Sequence, residues 1–150
     1  MKRTGFAKAD CPVARALDAI GDWWSLLIVR DAFDGLRRFG DFQRNLGIAK
    51  GMLTTRLRQL VEIGVLEQVD AADGSAYQDY VLTRKGRALF PVVVSLRQWG
   101  EANLYAKGEA HSVLLDQAGQ PVGQLVLPSK TGRPLAWSDT SVRKVAARRR

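Results

Sequence analysis

Cysteine and histidine are almost absent from the sequence, which contains one of each, Cys11 and His111. A single cysteine excludes an intrachain disulfide, which fits a reducing compartment and predicts a cytoplasmic protein. His111 lies beside Ser112, but the sequence has no His/Cys cluster with metal-ligand spacing, no glycine-rich phosphate loop and no nucleophile motif. We therefore expect no enzyme activity, no catalytic residue, no metal site and no cofactor.

Long apolar runs are also missing. No stretch approaches the roughly 20 apolar residues that a transmembrane helix requires. The basic residues Lys2 and Arg3 are not followed by the apolar segment of a signal peptide. We therefore expect neither membrane insertion nor a secretion signal.

Acidic residues are outnumbered, with 15 Asp and Glu against 23 Lys and Arg, and the net charge is +8. Such a balance is typical of proteins that bind nucleic acid, an acidic partner or an anionic membrane surface. Residues 35–60 contain six basic side chains and one carboxylate, that of Asp41, and the last three residues are all arginine. This concentration of positive charge favours nucleic acid as the partner.

Residues 39–61, FGDFQRNLGIAKGMLTTRLRQLV, have the pattern of two helices joined by a tight turn. Leu53, Leu57 and Leu60 recur at helical spacing, which predicts that this side of the second helix faces the core. The opposite side carries small, polar and basic residues: Gly51, Met52, Thr55, Arg58 and Gln59. Arginine can pair with guanine, glutamine with adenine, and the threonine methyl with thymine, so this side suits the DNA major groove. Gly47 allows positive φ in the turn.

Two helices are predicted before this unit, after a flexible segment at 1–10. Cys11-Pro12 opens the first, whose apolar stripe is Val13, Leu17 and Ile20. Asp22 caps the second, which is apolar almost all round and is expected at the centre of the core. Its two tryptophans are interpreted as core residues in preference to a ligand box. A short strand is predicted at 37–39.

Strands at 65–69 and 77–82, separated by a polar turn, predict a hairpin, which after a helix-turn-helix is a wing. A helix is predicted from Arg84 to about Tyr105, with a kink at Pro91. Spare apolar surface on this helix and on the first helix predicts a homodimer. The predicted fold is mainly α with a small β wing, a winged helix-turn-helix (α+β). It comprises a DNA-binding and dimerisation domain at 11–105, a small β-rich C-terminal appendage at 106–144, and a basic tail at 145–150.

Five motifs occur in an order and spacing that resemble the HxlR-type winged helix-turn-helix transcriptional regulators. They are Cys-Pro at 11–12, Gly-Asp-Trp-Trp at 21–24, Arg-Phe-Gly-Asp-Phe at 38–42, Leu-Thr-x-x-Leu at 53–57 and Leu-Thr-x-x-Gly at 82–86. The resemblance runs from about Cys11 to Trp99. It implies a bacterial, sequence-specific DNA-binding protein, most simply a repressor, that dimerises through its terminal helices and binds a palindromic operator.

The resemblance also implies roles for individual residues. The helix from about 49 to 63 would be the recognition helix, in which the residues approaching bases or phosphates would be Lys50, Met52, Thr54, Thr55 and either Arg56 or Arg58. Three arginines before it, Arg37, Arg38 and Arg44, would contact phosphates and set the register on DNA.

The wing departs from the family pattern, which often places a basic residue or a proline near the tip. Here the wing reads DAADGSAYQD, with three aspartates and no lysine or arginine. Because carboxylates repel phosphate, we expect Ser75, Tyr77 or Gln78 to make any wing contact, or the wing to lie off the DNA.

Cys11 matches a position at which several family members sense oxidants or electrophiles. A cysteine at a helix N-terminus is favoured as a thiolate by the helix dipole. The alternative is that Cys11 is only a small apolar residue. An oxidant or a small molecule is thus an open effector, and the alternative function is a non-sequence-specific, basic nucleic-acid-binding protein.

Overall fold

The computed structural model of the chain describes residues 5–146. In chain order its elements are α1 (Pro12–Ile20), α2 (Trp23–Phe33), α3 (Phe39–Leu46), α4 (Lys50–Glu62), β1 (Leu66–Asp70), β2 (Gln78–Leu82), α5 (Arg84–Arg87), α6 (Phe90–Asn103) and a short 3-10 helix (Trp137–Asp139). This order confirms the predicted winged helix-turn-helix, which is mainly helical and carries a two-stranded antiparallel wing. Within residues 5–146, no helix is both long enough and apolar enough to cross a bilayer.

The first two helices begin where the sequence predicts. Pro12 occupies the first position of α1, where its missing N–H leaves no intrahelical hydrogen bond unmade. Asp22 caps α2, because its Oδ1 accepts a hydrogen bond from the Ser25 backbone N–H at 2.9 Å. Residues 1–4 lie outside the described residues. The described part of the predicted flexible N-terminus is tied to α1, since the Phe6 N–H donates to Asp18 Oδ1 at 3.0 Å.

The core lies among α2, α3, α4 and the start of β1. The three leucines of the predicted α4 stripe, Leu53, Leu57 and Leu60, are at most 1% exposed. They form one cluster with buried side chains from the other elements, which include Ile28, Val29, Phe42 and Leu66. Burying a leucine contributes about 1.5–3 kcal/mol, so this stripe decides which side of α4 faces inward. The predicted orientation of α4 is confirmed.

The two tryptophans of α2 differ in burial. Trp24 packs against the core cluster, whereas Trp23 is 73% exposed and contacts the Trp24 ring edge to face. The expectation that both pack in the core is therefore wrong for Trp23. Adjacent residues on a helix point about 100° apart, so α2 cannot direct both rings into the same core.

A left-handed glycine joins α3 to α4, as predicted. Gly47 has φ 61° and ends α3, and its N–H donates to the Gln43 carbonyl at 3.0 Å. A Cβ at Gly47 would meet no atom within 4 Å, so backbone conformation alone requires glycine here. The next residue, Ile48, is buried and anchors the turn to the core.

β1 and β2 pair from Leu66 opposite Leu82 to Asp70 opposite Gln78, which confirms the predicted hairpin. The strand predicted at 37–39 is wrong. Arg37 supplies only a carbonyl, which accepts a hydrogen bond from the Tyr80 N–H at 2.7 Å, and α3 already begins at Phe39. A single hydrogen bond does not form a strand ladder, so β2 is joined to the segment before α3 at one point only.

The long helix predicted after the wing is broken. α5 ends at Arg87, and α6 begins at Phe90, one residue before Pro91. Proline lacks an N–H and is tolerated only in the first turn of a helix, so the helix restarts there. The interruption predicted at Pro91 is therefore a break at residues 88–89. α5 is held close to the hairpin: a Cβ on Gly86 would lie 2.1 Å from the Val65 carbonyl oxygen.

The described chain separates into two compact units, one ending at Val93 and the other beginning at Val94. In the second unit, two isolated β-bridges pair Leu115 with Pro121 and Pro128 with Pro134, and the described residues after α6 form no regular strand. The predicted β-rich character is thus limited to these bridges, because prolines interrupt the donor pattern that a ladder needs. Of the predicted basic tail, 147–150 lie outside the described residues.

Candidate DNA-binding surface

The exposed side of α4 carries the residue types expected at base edges. Gly51, Met52, Thr54, Arg58 and Gln59 are exposed, and Thr55 is half-buried. The Thr54 hydroxyl donates to the Lys50 carbonyl at 2.9 Å, and the Thr55 hydroxyl donates to the Gly51 carbonyl at 3.0 Å. With their hydrogens used inside the helix, both threonines offer an acceptor oxygen and a methyl group. Threonine methyls of this kind can contact thymine in the major groove.

The structure separates the two arginines that the sequence left as alternatives. Arg58 is exposed, and its Nε lies 3.8 Å from Glu62 Oε1, a loose contact that contributes little. Arg56 turns toward the α1–α2 corner, with its Nε 3.3 Å from Asp22 Oδ1. Its Nη1 also donates to Gln59 Oε1 at 2.9 Å. This geometry makes Arg56 a link between α2 and α4 and leaves Arg58 available to DNA.

The arginines before α4 are not equivalent. Arg37 is exposed, and like Lys50 it has no ion pair with any other described residue. Arg44 pairs with Asp41 on α3, three residues earlier. Arg38 pairs with the wing: its Nη2 lies 2.5 Å from Asp73 Oδ2 and its Nε lies 3.5 Å from Asp79 Oδ1. Two of the three predicted phosphate contacts are therefore already engaged with carboxylates.

The pairing of Arg38 with Asp73 depends on the wing turn. The Ser75 N–H donates to Asp73 Oδ1 at 3.0 Å, and Gly74 makes the turn with φ 73°. Hydrogen bonds from Ser75, first of all from its backbone, and from Arg38 lower the pKa of Asp73 to about 2. The hydrogen bond to Asp73 in turn raises the pKa of Arg38. The acidic wing tip is thus ionised at neutral pH and is stabilised within the protein.

The remaining polar groups of the wing are mostly bound inside the hairpin. Gln78 Nε2 donates to Asp70 Oδ1 at 2.7 Å, so Gln78 is engaged with the opposite strand. Tyr77 is exposed and lines a cleft of about 680 Å³ together with Arg38, Gly40 and Arg44. Of the three predicted wing contacts, Tyr77 is the one that the hairpin leaves most available.

Cys11 is exposed and occupies the N-cap position of α1. Its side chain makes no capping hydrogen bond. Across residues 5–146, no group of three or more His, Cys, Asp or Glu side chains is arranged to hold a metal ion. The geometry of Cys11 is thus that of an accessible thiol at a helix N-terminus.

Sequence reasoning missed Arg38 with Asp73 and Arg56 with Asp22. Asp73 lies 35 residues from Arg38, so no local periodicity connects them. The acidic composition of the wing was the only signal, and it indicated repulsion from DNA without indicating a partner.

Residues 19–108 match a family described as HxlR-like helix-turn-helix. The chain belongs to this family. An HTH-type transcriptional regulator of Mycobacterium tuberculosis H37Rv is 48% identical over 92 residues, which cover 61% of this chain and 58% of that protein. The chain therefore matches less than two thirds of the length of this mycobacterial relative.

Two solved structures show how far this HxlR-like chain resembles known folds. The candidate transcription factor PA1607 is 55% identical, with a TM-score of 0.88 over 93% of this chain and 99% of its own. The redox regulator HypR in its oxidized form is 35% identical, with a TM-score of 0.58 over 64% of this chain and 100% of its own. The winged helix is therefore common to all three, and the match with PA1607 also extends over most of the second unit.

Proposed function

We propose that this HxlR-like protein is a sequence-specific DNA-binding transcriptional regulator that reads its operator with the exposed side of α4. The observation that carries the proposal is the division of α4 into two faces. Leu53, Leu57 and Leu60 are buried, and the opposite face presents Arg58 with the threonine methyls. Phosphate contacts from Lys50 and Arg37 would position this face on the duplex. Repression, as opposed to activation, stays a prediction from the family resemblance.

The test is a selection of binding sites from a random duplex library at a stated salt concentration. We expect enrichment of a palindromic sequence whose half-sites lie about one helical turn apart, about 10 base pairs centre to centre. Salt-dependent binding without any enriched sequence would favour the alternative, a non-sequence-specific basic protein.

We also propose that the protein acts as a homodimer in which α1 is buried. Two residues of the α1 apolar stripe, Val13 and Leu17, are 65% and 55% exposed in the single chain, and only Ile20 is buried. α6 likewise exposes Leu96 and Trp99. Exposed apolar side chains aligned on a helix are typical of a protein–protein interface.

Replacing Leu17 with Asp tests the dimer. Placing a carboxylate in a buried apolar contact should weaken association by about 2 kcal/mol or more, roughly a thirtyfold rise in the dimer Kd. Sedimentation equilibrium measures this change, and circular dichroism checks that the subunit stays folded. Asp10→Asn, an exposed change that precedes α1, is the control. A wild-type monomer, or a dimer unaffected by Leu17→Asp, would contradict this interface.

Oxidant or electrophile sensing by Cys11 is a third part of the proposal. It is supported by the exposure of the thiol at the N-cap of α1 and by the likeness to HypR, itself a redox regulator. Diamide or a quinone should change the affinity of the wild-type protein for its selected site and leave Cys11→Ser unchanged. The same response in both proteins, or none in either, would reject sensing by Cys11.

A further inference from the structure

Arg38 lies between two carboxylates of the wing. Asp79 on β2 is 5% exposed, and its Oδ1 lies 3.5 Å from Arg38 Nε. Asp73 at the wing tip is exposed, and its Oδ2 lies 2.5 Å from Arg38 Nη2. The Nε end of the guanidinium thus lies near a buried carboxylate without a hydrogen bond to its Oδ1, and Nη2 donates a hydrogen bond to a carboxylate that solvent can reach.

The outer end of Arg38 lies where a phosphate is expected. Arg38 is the N-cap residue of α3, and the cleft beside it contains Gly40, Arg44 and Tyr77. The N-terminus of a helix attracts anions, and guanidinium binds phosphate with the same fork of N–H donors that it offers to carboxylate. A carboxylate on Nη2 therefore occupies one of the guanidinium N–H donors that a DNA phosphate could use.

The wing turn is built to keep that carboxylate in place. The Ser75 N–H holds Asp73 Oδ1 at 3.0 Å, which leaves Oδ2 directed at Arg38. Asp70, in the same hairpin, instead accepts from Gln78 and has no ion pair with any described residue. The two aspartates therefore differ in their partners, although each places one negative charge on the wing.

We propose that Asp73 occupies the phosphate-binding position of Arg38 in the unbound protein, so that DNA binding exchanges a wing carboxylate for a backbone phosphate. The inference rests on the proposed DNA-binding function and adds an internal competitor to it. When a phosphate takes Nη2, Asp73 is uncovered and attracts a cation from solution. The contact at Arg38 then releases little net salt, and it adds little to the affinity for DNA of any sequence.

The substitution Asp73→Asn removes the negative charge of the side chain and keeps its shape. Asparagine keeps the side-chain oxygen that accepts from the Ser75 N–H, so the turn is retained while the competitor for Arg38 is removed. The affinity for a random-sequence 30-base-pair duplex should rise about threefold to tenfold at low salt. The slope of log K against log salt should become steeper by about one, because one further phosphate contact releases its counterion.

Three variants serve as controls for Asp73→Asn. Asp70→Asn removes the same charge from the same hairpin without releasing Arg38, so its slope should stay at the wild-type value. Arg38→Gln removes the phosphate contact itself. In the double variant Arg38→Gln/Asp73→Asn the slope should not exceed that of Arg38→Gln, and circular dichroism melting confirms that each variant is folded.

The outcomes separate this inference from the proposed function. If the wild-type protein binds the duplex and Asp73→Asn behaves like Asp70→Asn, the exchange is wrong and the function stands. If Asp73→Asn binds more weakly, Asp73 serves to position the wing, and the exchange is again wrong. If neither the wild-type protein nor any variant binds DNA, the function fails and the inference fails with it.

Discussion

α4 and the wing form the two parts of the candidate DNA surface, and their polar groups have different hydrogen-bond partners. α4 satisfies its threonine hydroxyls within its own backbone and leaves Arg58 exposed. The wing binds its carboxylates to other side chains, Asp70 to Gln78 and Asp73 to Arg38. The helix thus presents groups to a partner, whereas these two aspartates of the hairpin are hydrogen-bonded to side chains of the protein itself.

This difference assigns separate tasks to the two parts. A face with available donors and methyl groups can distinguish base pairs, because base edges differ in hydrogen-bonding pattern. A hairpin in which one exposed carboxylate already binds Arg38 changes the strength of phosphate contact and carries no base information. Sequence preference should therefore depend on α4, and salt dependence should depend in part on the wing.

The largest effect should come from breaking the position of α4 itself. Leu57→Ala removes a side chain that is 1% exposed and should lower the free energy of unfolding by about 2–5 kcal/mol, because it leaves a cavity in the core. Urea denaturation measures this loss. Met52→Ala on the exposed side of the same helix should change stability by no more than about 0.5 kcal/mol. Similar losses for both would contradict the two-faced description of α4.

A smaller effect, confined to DNA binding, should come from Arg58. If Arg58 reads a base, Arg58→Ala should weaken binding to the selected site by about 1–3 kcal/mol and relax preference at one position. Competition binding with single-base variants of the site measures both changes.

The matched control on α4 is Arg56→Met, which keeps much of the side-chain length. It removes the ion pair with Asp22 and should lower the free energy of unfolding by no more than about 1 kcal/mol, with little change in affinity for the selected site. A loss of base preference in Arg56→Met, with none in Arg58→Ala, would reverse the assignment of the two arginines.

The smallest effect should be at the wing tip, in the titration of Asp73. Its pKa is lowered from 3.8 to about 2, so its ionised form stabilises the fold above pH 3.8, and this contribution is lost as the pH falls through about 2. Arg38→Gln should raise this pKa only in part, because the hydrogen bonds from Ser75 remain. Carboxyl carbon NMR shifts against pH measure the change. An ordinary pKa for Asp73 in the wild-type protein would contradict its hydrogen bonds with Ser75 and Arg38.

Much of the fold followed from local patterns. The leucine spacing of α4, the cap at Asp22, the glycine at 47 and the hairpin each depend on residues a few positions apart. The predictions that were wrong concern residues whose local sequence pattern does not determine which neighbours they pack against or pair with. Trp23 is as apolar as Trp24 but lies on the other side of α2, and the prolines of the second unit leave bridges where strands were expected.

The candidate surface was predictable as a set of residues but not as an arrangement. The sequence identified the exposed side of α4 and the three arginines before it. It could not separate Arg56 from Arg58, because both lie on the same helix and the partner of Arg56 is on α2. It predicted that the aspartates of the wing would repel DNA but gave them no partner, whereas the structure places Asp73 and Asp79 beside Arg38.

By itself the sequence determined the winged helix-turn-helix and the side of α4 that faces outward. Helical and strand periodicities are local, and the burial of apolar side chains is strong enough to enforce them. Only the tertiary structure decided which charges are available to a partner. Long charged side chains find partners that are distant in sequence, and the packing of α2, α3 and the wing brings Asp22 to Arg56 and Asp73 to Arg38.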